Sequence, residues 1–304
     1  MVLDVVRRSI GLKVSLLLAA ITILITGVVG FIITTQQSKN LEELTLSKAR
    51  MSARVGAQAY GHLLEEAIDN NFLPVGDVFD TKYEEIKGYN WNGIPKYHTK
   101  YDFYTDRVAV TLLDRFLEGE EVVATVGSDV NGYVPTHNSK AMRPITGDKD
   151  NDLSGNRAKV IFSDDVGKKA GANELAVLVQ EYLRNTGELM WDVSSPIYVK
   201  GKHWGAFRVI VAVSVIQKKR AALAATLTLL FGALALVSAG AIFVMIQRSI
   251  RPLVKLAELA DEISTGEKLD EPIKPSTIDE VGRMTKSLDR LRASLKAAMA
   301  RLGE

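Results

Sequence analysis

Residues 221–246 read AALAATLTLLFGALALVSAGAIFVMI, 26 residues without a charge. A helix of this length, at about 1.5 Å per residue, exceeds the roughly 30 Å hydrocarbon core of a bilayer. A buried soluble helix seldom runs so far without a polar face, so a membrane span is the expectation. Gly232, Ala235, Ala239 and Gly240 put small residues along it, which permits close helix–helix approach.

A second apolar run stands near the N-terminus. Val14–Thr34 reads VSLLLAAITILITGVVGFIIT, 21 residues, also uncharged. Arg7, Arg8 and Lys13 precede it, as basic residues precede a secretory leader. The run exceeds the usual leader core of about 7–15 residues, and no small-x-small cleavage pattern precedes Gln36. An uncleaved anchor is therefore expected. Two spans place both termini on one side. Arg7, Arg8 and Lys13, with Arg248, Arg251 and Lys255 after the second span, assign that side to the cytoplasm. Lys218, Lys219 and Arg220 oppose this, but charges in a long translocated segment weigh little. The expected organisation is a cytoplasmic tail over 1–13, spans over 14–34 and 221–246, an outer domain over 35–217 and a cytoplasmic unit over 249–304.

Composition agrees with two membrane spans and excludes several chemistries. The net charge is +2, so no bulk charge favours nucleic acid. Residues 35–217 hold 21 Lys/Arg against 25 Asp/Glu, and residues 251–304 hold 10 of each. The basic excess thus lies beside the apolar runs. There is no cysteine, which excludes disulfides, thiolate zinc sites, iron–sulfur clusters and covalent c-type haem.

The segment after the second span has coiled-coil periodicity. Val281, Met284, Leu288, Leu291, Leu295, Ala298 and Leu302 recur at alternating spacings of 3 and 4. Leu256, Leu259 and Ile263 give a shorter stripe before them. Pro252 suits the first turn of a new helix. Gly266 suits that helix's end, and Pro272 and Pro275 keep the connector extended. Asp279 and Glu280 open the second helix against its dipole. Two helices with one apolar seam each, joined by an extended link, suit a parallel four-helix coiled coil built from two chains. An antiparallel hairpin within one chain is the alternative, but the link is longer than a hairpin needs.

Arg251-Pro252-Leu253, the stop at Gly266, connector residues Leu269 and Ile273, and Asp279-Glu280-Val281-Gly282 together resemble a HAMP domain. The resemblance implies that Pro252 marks the junction with the membrane helix. It also implies that Glu280 ties the second helix to the first. The expected relay comprises Pro252, Leu256, Leu259, Ile263, Gly266, Leu269, Ile273, Glu280, Val281, Met284, Leu288, Leu291 and Leu295.

The outer segment reads as one α+β domain. Residues 35–72 continue the first span as a long helix, and Asn70–His98 is irregular. Thr105–Leu117 is an amphipathic helix, and Glu121–Val126 and Tyr133–His137 are strands about a turn at Asp129–Gly132. Residues 139–174 form a polar loop with a short helix, and Glu174–Arg184 reads as helix. Leu189–Val199 and His203–Ser214 form a strand pair leading into the second span. The stretches DVNGYVPTHN (129–138) and GELMWDVSSPIYVKGK (187–202) resemble single-Cache or PAS-like sensors found ahead of HAMP in bacterial chemotaxis transducers.

Candidate ligand contacts are polar or aromatic residues in this domain. Thr136, His137 and Asn138 could line a pocket, although a turn residue bonded to backbone is the favoured reading of His137. Tyr97, Tyr101, Phe103 and Tyr104 form a polar-tipped aromatic cluster that fits a pocket or a core. Tyr133 joins the candidates, and Trp191 is favoured for the core over the pocket. Arg143 and Arg157 could neutralise an anion but read as solvated surface residues. His62, His98, His137 and His203 are not at metal-ligand spacing, so no metal and no noncovalent haem on His137 and His203 is expected. No catalytic or nucleotide-binding motif is present.

The expected function is a homodimeric inner-membrane receptor, its sensor periplasmic, that binds a small molecule and signals to a separate cytoplasmic protein. Chemotaxis-type signalling is what the resemblance implies. The sequence ends at Glu304, just after the seam. Alternatives are therefore a non-signalling dimerisation scaffold or a sensor kinase or cyclase truncated before its output domain.

Overall fold

A computed structural model of the chain describes residues 9–88, 93–117, 119–184 and 187–302. Arg7, Arg8, Glu304 and the side chain of Leu302 lie outside the described residues. Contacts divide the chain into two units. One is Thr35–Ala224; the other is Met1–Thr34 with Ala225–Glu304.

The Thr35–Ala224 unit is a four-stranded antiparallel sheet with a helix on one face. The strands are β3 (Val122–Asp129), β6 (Leu178–Leu183), β7 (Leu189–Val199) and β8 (Lys202–Ala212), in the order β3-β8-β7-β6. Two short pairs flank them. One joins β1 (Glu84–Glu85) to β2 (Tyr97–His98), the other β4 (Tyr133–Val134) to β5 (Val160–Ile161). Helix α1 (Ile10–Asp69) supplies the packing stripe Ala49, Ala53, Ala57, Tyr60, Leu64 and Ala67, all buried. Small residues dominate it, so the helix axis comes close to the sheet. A Cβ on Gly56 would meet the Phe207 ring at 2.3 Å, and one on Gly127 would meet the Tyr60 ring at 2.5 Å. Trp191, Val193, Phe207, Val209 and Val211, the odd-numbered residues of the two central strands, share this core.

The remaining helices are short: α2 (Val75–Val78), α3 (Asp102–Asp114), α4 (Lys149–Gly155) and α5 (Asp165–Gly171). The Asp129–Gly132 turn forms because Asp129 satisfies it from within. Its Oδ1 accepts from the amides of Asn131 and Tyr133, each at 2.9 Å, and Gly132 takes φ +80°. Oδ2 accepts from the Tyr83 hydroxyl at 2.6 Å and the Tyr101 hydroxyl at 3.3 Å. Burial pushes the Asp129 carboxyl up, against these hydrogen bonds, Tyr83's first.

Two expectations need correction. Glu174–Arg184 is not a helix: residues 178–183 are the edge strand β6, paired with β7 from Leu178↔Ser194 to Leu183↔Leu189. Helix propensity there is overridden by the sheet edge that β7 offers. Pro252 does not start a new helix: α6 (Val213–Ser264) runs through it. Proline's fixed φ is helical, and only one backbone hydrogen bond is forfeited.

In the second unit, α1 and α6 are each long and apolar enough to cross a membrane. Leu24, Phe31, Leu229 and Leu236 are all more than two-thirds exposed. Apolar surface on that scale is not left to water in a stable protein, so these faces call for lipid.

Candidate functional site

The sheet face opposite α1 carries the even-numbered residues. Ala124, Met190, Ile210 and Ala212 form a small apolar patch there. Beside it lies a cavity of about 390 Å³. Its floor is Ala124 and Val126 of β3 and Arg208 and Ile210 of β8; Tyr182 and Arg184 close one side. The segment Arg157–Val166 closes another. His137 reaches it because its backbone bridges to Val126 beyond the end of β4.

Charge is unevenly placed around this space. Arg208 donates through Nε to Asp192 Oδ2 at 2.9 Å and also pairs with it through Nη2. Asp192 is fully buried, and burial pushes its carboxyl up while Arg208 pulls it down. Arg157 lies over the Phe162 ring at 5.1 Å and donates from Nη1 to the Leu153 carbonyl at 2.8 Å. Burial, and then the positive charge of Arg184, lowers Arg157 to about 10. His137 is buried, its Nδ1 without a hydrogen-bond partner among the described residues. Burial, and then Arg157, holds its ring neutral, pushed down to about 3.

Of the residues weighed in the sequence, His137 and Arg157 line this cavity. Asn138 accepts from the Thr125 amide at 3.3 Å, and Thr136 bonds Thr105 at 2.8 Å and Asp106 at 2.6 Å. Tyr101 and Tyr133 are in the α1-side core, Tyr97 and Tyr104 pack against it, and the Tyr104 hydroxyl reaches the Leu63 carbonyl at 3.3 Å. Trp191 is in the same core, its Nε1 donating to Glu181 at 3.1 Å. The Tyr133 hydroxyl lies 2.8 Å from both the Tyr97 carbonyl and Asp102 Oδ2. Tyr133→Phe should therefore cost about 1–3 kcal/mol of stability. Thermal unfolding of the variant checks this, and an unchanged midpoint would contradict it.

Arg184 and Arg208 were not among the candidates. Arg157, expected at the solvated surface, is half-buried at the cavity wall. The available signal was a lone arginine within the apolar run Trp204–Val213, matched by a lone aspartate within Leu189–Val199. Both residues sit on strands buried on two faces, where a charge needs a partner.

The second unit holds a helix–connector–helix arrangement. Helix α6 ends at Ser264, and Gly266 takes φ +88° with its amide on the Ile263 carbonyl at 3.1 Å. Helix α7 (Glu280–Leu302) begins on Asp279, whose Oδ1 accepts from the amides of Val281 at 3.0 Å and Gly282 at 3.2 Å. The Thr277 hydroxyl and these amides hold the Asp279 carboxyl below its ordinary range. The connector lies along α7. The Ile273 amide donates to Asp289 Oδ1 at 2.9 Å, Lys296 pairs with Asp270 at 2.7 Å, and Arg292 bonds the Leu269 carbonyl. Glu280 pairs within its own helix with Arg283 at 3.0 Å. Met284 and Leu291 of the heptad seam are more than half exposed.

Residues 244–297 match the HAMP domain family. This segment is a HAMP domain. Its match begins inside α6, so the HAMP helix and the second apolar segment are one continuous helix. A HAMP domain following an apolar span is the architecture of a transmembrane signal receptor. No curated protein matches the chain. Among solved structures it is similar to the ligand-binding domain of the Campylobacter jejuni chemoreceptor Tlp3 in complex with 4-methylisoleucine, at 16% identity and a TM-score of 0.32. That likeness covers 62% of this chain and 62% of that one. The sensory domain of the same chemoreceptor with isoleucine bound is similar at 17% identity, covering 60% of this chain and 66% of that one, with a TM-score of 0.29. The chain thus spans less than two thirds of either structure.

Proposed function

We propose that the chain is a homodimeric receptor of the inner membrane. Its α+β domain, over 35–217, is a single-Cache or PAS-like sensor in the periplasm that binds a small molecule in the cavity. The spans over 14–34 and 221–246 cross the bilayer. The HAMP domain, paired as a parallel four-helix coiled coil, passes a conformational change to a separate cytoplasmic protein in chemotaxis-type signalling.

One observation carries this reading. Strand β8 lines the cavity with Arg208 and Ile210 and ends at Ala212; α6 starts at the next residue. That helix contains the second apolar segment and the start of the HAMP domain. A ligand that favours one placement of β8 therefore acts on the covalent start of the signalling helix. It shifts an equilibrium by its differential affinity for the two states.

The half-exposed seam supports pairing, since a helix with an unburied a/d stripe gains by meeting another. The chain has no native cysteine, so introduced ones report alone. Met284→Cys and Leu291→Cys, oxidised in membranes, should give covalent dimers, whereas Arg290→Cys, off the seam, should not. Equal yields at all three positions would contradict the pairing. Binding is tested by thermal shift of the full chain in nanodiscs against a metabolite panel. A ligand raises the midpoint by mass action, and the cavity-filling Ala124→Trp should abolish that shift.

A further inference from the structure

Cations beside the second apolar segment fall into two sets. Helix α6 carries no carboxylate before Glu258. Beyond residue 246 it presents Arg248, Arg251 and Lys255, all exposed. Spacings of 3 and 4 put them on one face, beside the Leu256, Leu259 and Ile263 stripe rather than on it. Lys13, also exposed, joins their layer because α1 and α6 meet there: a Cβ on Gly11 would lie 3.2 Å from Ile250. No ion pair joins any of these four cations to a described carboxylate. At the other end of the segment the cations are answered by acids. Lys219 pairs with Glu121 and Arg220 with Glu42, each at 2.6 Å.

Helix direction explains the difference. Every Cα–Cβ bond in a helix tilts towards the N-terminus. Arg248, Arg251 and Lys255 follow the apolar segment, so their side chains lean back towards it. Lys218, Lys219 and Arg220 precede it, so theirs lean away from it. Lys39, after the first apolar segment, also leans back, but Glu42 and Glu43 stand within the next turn and offset it.

We infer that Lys13, Arg248, Arg251 and Lys255 form a collar for the phosphates of anionic phospholipid headgroups. This rests on the two apolar segments crossing the bilayer. Arg248 to Lys255 covers about 10 Å of helix, and a headgroup layer is about 5–8 Å deep. Long side chains that lean back close the gap, their stems on apolar surface and their charges at the phosphates. A zwitterionic lipid brings a cation of its own, which four unpaired cations repel; phosphatidylglycerol brings none. Each Lys or Arg at the surface strengthens anionic-lipid binding about fivefold. Arg248, Arg251 and Lys255 all lie within the HAMP match, so a bound headgroup holds the first HAMP helix at the membrane surface.

The test uses the full chain in nanodiscs of phosphatidylcholine and phosphatidylglycerol in equal amounts. The chain is extracted in mild detergent, and the retained lipids are counted by native mass spectrometry. Phosphatidylglycerol should be retained over phosphatidylcholine by about tenfold or more. Arg248→Gln alone should lower that preference about fivefold, and the triple variant Arg248→Gln, Arg251→Gln, Lys255→Gln should abolish it. The four side chains are exposed and unpaired, so thermal midpoints should not move. Where the triple variant fails to insert, the single one still decides, and Arg248→Lys should keep most of the preference. Lys39→Gln with Lys218→Gln, two exposed cations at the other end of the segments, should leave it unchanged.

The collar is overturned if the parent retains both lipids equally, if Arg248→Gln and the triple variant keep the parent's preference, or if the Lys39 and Lys218 variant loses as much. Displacement of the lipid by inorganic phosphate would mark a site for a free anion and discard the lipid. Tight binding of a polyglutamate peptide in pure phosphatidylcholine nanodiscs would mark a protein-docking face and discard it likewise. Nanodiscs present the same lipids on both faces, so a reversed topology would leave the result unchanged. An inserted chain without lipid preference discards the collar alone; a chain that does not insert discards the spans with it.

Discussion

Arg208→Met will lower the stability of the α+β domain by about 3–5 kcal/mol, the usual cost of stranding one partner of a buried ion pair. Asp192 is fully buried, and its Oδ1 already lacks a partner among the described residues. Without the guanidinium, the carboxylate must stay charged in the sheet or take a proton. The pH dependence follows. Burial holds the Asp192 carboxyl above its ordinary value even with Arg208 present. The folded state therefore binds this proton more tightly than the unfolded chain does. The contribution is fully present below the ordinary carboxylate range and is lost as pH rises through the folded value. Removing Arg208 raises that value further, so the variant's deficit is largest near neutrality and shrinks on acidification. Asp192→Leu with Arg208→Met should regain most of the loss. Urea unfolding at neutral and mildly acidic pH measures both effects. A deficit that does not change with pH, or a double variant as unstable as the single one, would contradict the assignment.

Gly205→Ala will be comparably damaging, at about 2–5 kcal/mol, by a different route. Gly205 opposes Asp129 in the β3–β8 register and has φ +157°. A Cβ there would lie 2.0 Å from the Ser128 carbonyl oxygen and 2.6 Å from the Asp129 Cα. These are backbone atoms, so no rotamer change relieves the overlap. Strain in a sparsely populated backbone region adds to it. The strands would have to part beside the Asp129 turn that organises Tyr83, Tyr101 and Tyr133. Gly76 is the control: its added Cβ meets nothing within 4 Å, so Gly76→Ala should be near neutral. Similar midpoints for the two variants would show that β3 and β8 are less tightly paired than described.

How much was legible depends on the range of the interaction that fixes each element. The apolar helices and the heptad seam follow from local periodicity, the seam carried by Val281, Met284, Leu288 and Leu291. The stretch ELAVLVQEYLR (174–184) is locally helix-compatible, and the pairing of β6 with β7 that overrides this is a tertiary fact. The candidate site was legible in even smaller part. DVNGYVPTHN is conspicuous for its polar groups, but most serve the loop itself: Asp129 bonds the amides of Asn131 and Tyr133, and Asn138 bonds Thr125. Only His137 turns to the cavity. The arginines that surround it come from positions 157, 184 and 208, and no spacing rule unites residues brought together by a sheet.

The receptor reading depends on the α+β domain and the HAMP domain facing opposite compartments. Lys87 and Glu267 are both exposed, one in each unit, and the chain is otherwise free of cysteine. Lys87→Cys and Glu267→Cys should therefore be probed in intact spheroplasts with a membrane-impermeant maleimide. The expected result is labelling of Cys at position 87 from outside, and of Cys at position 267 only after the membrane is permeabilised. Labelling of both positions from the same side of an intact membrane would contradict the account.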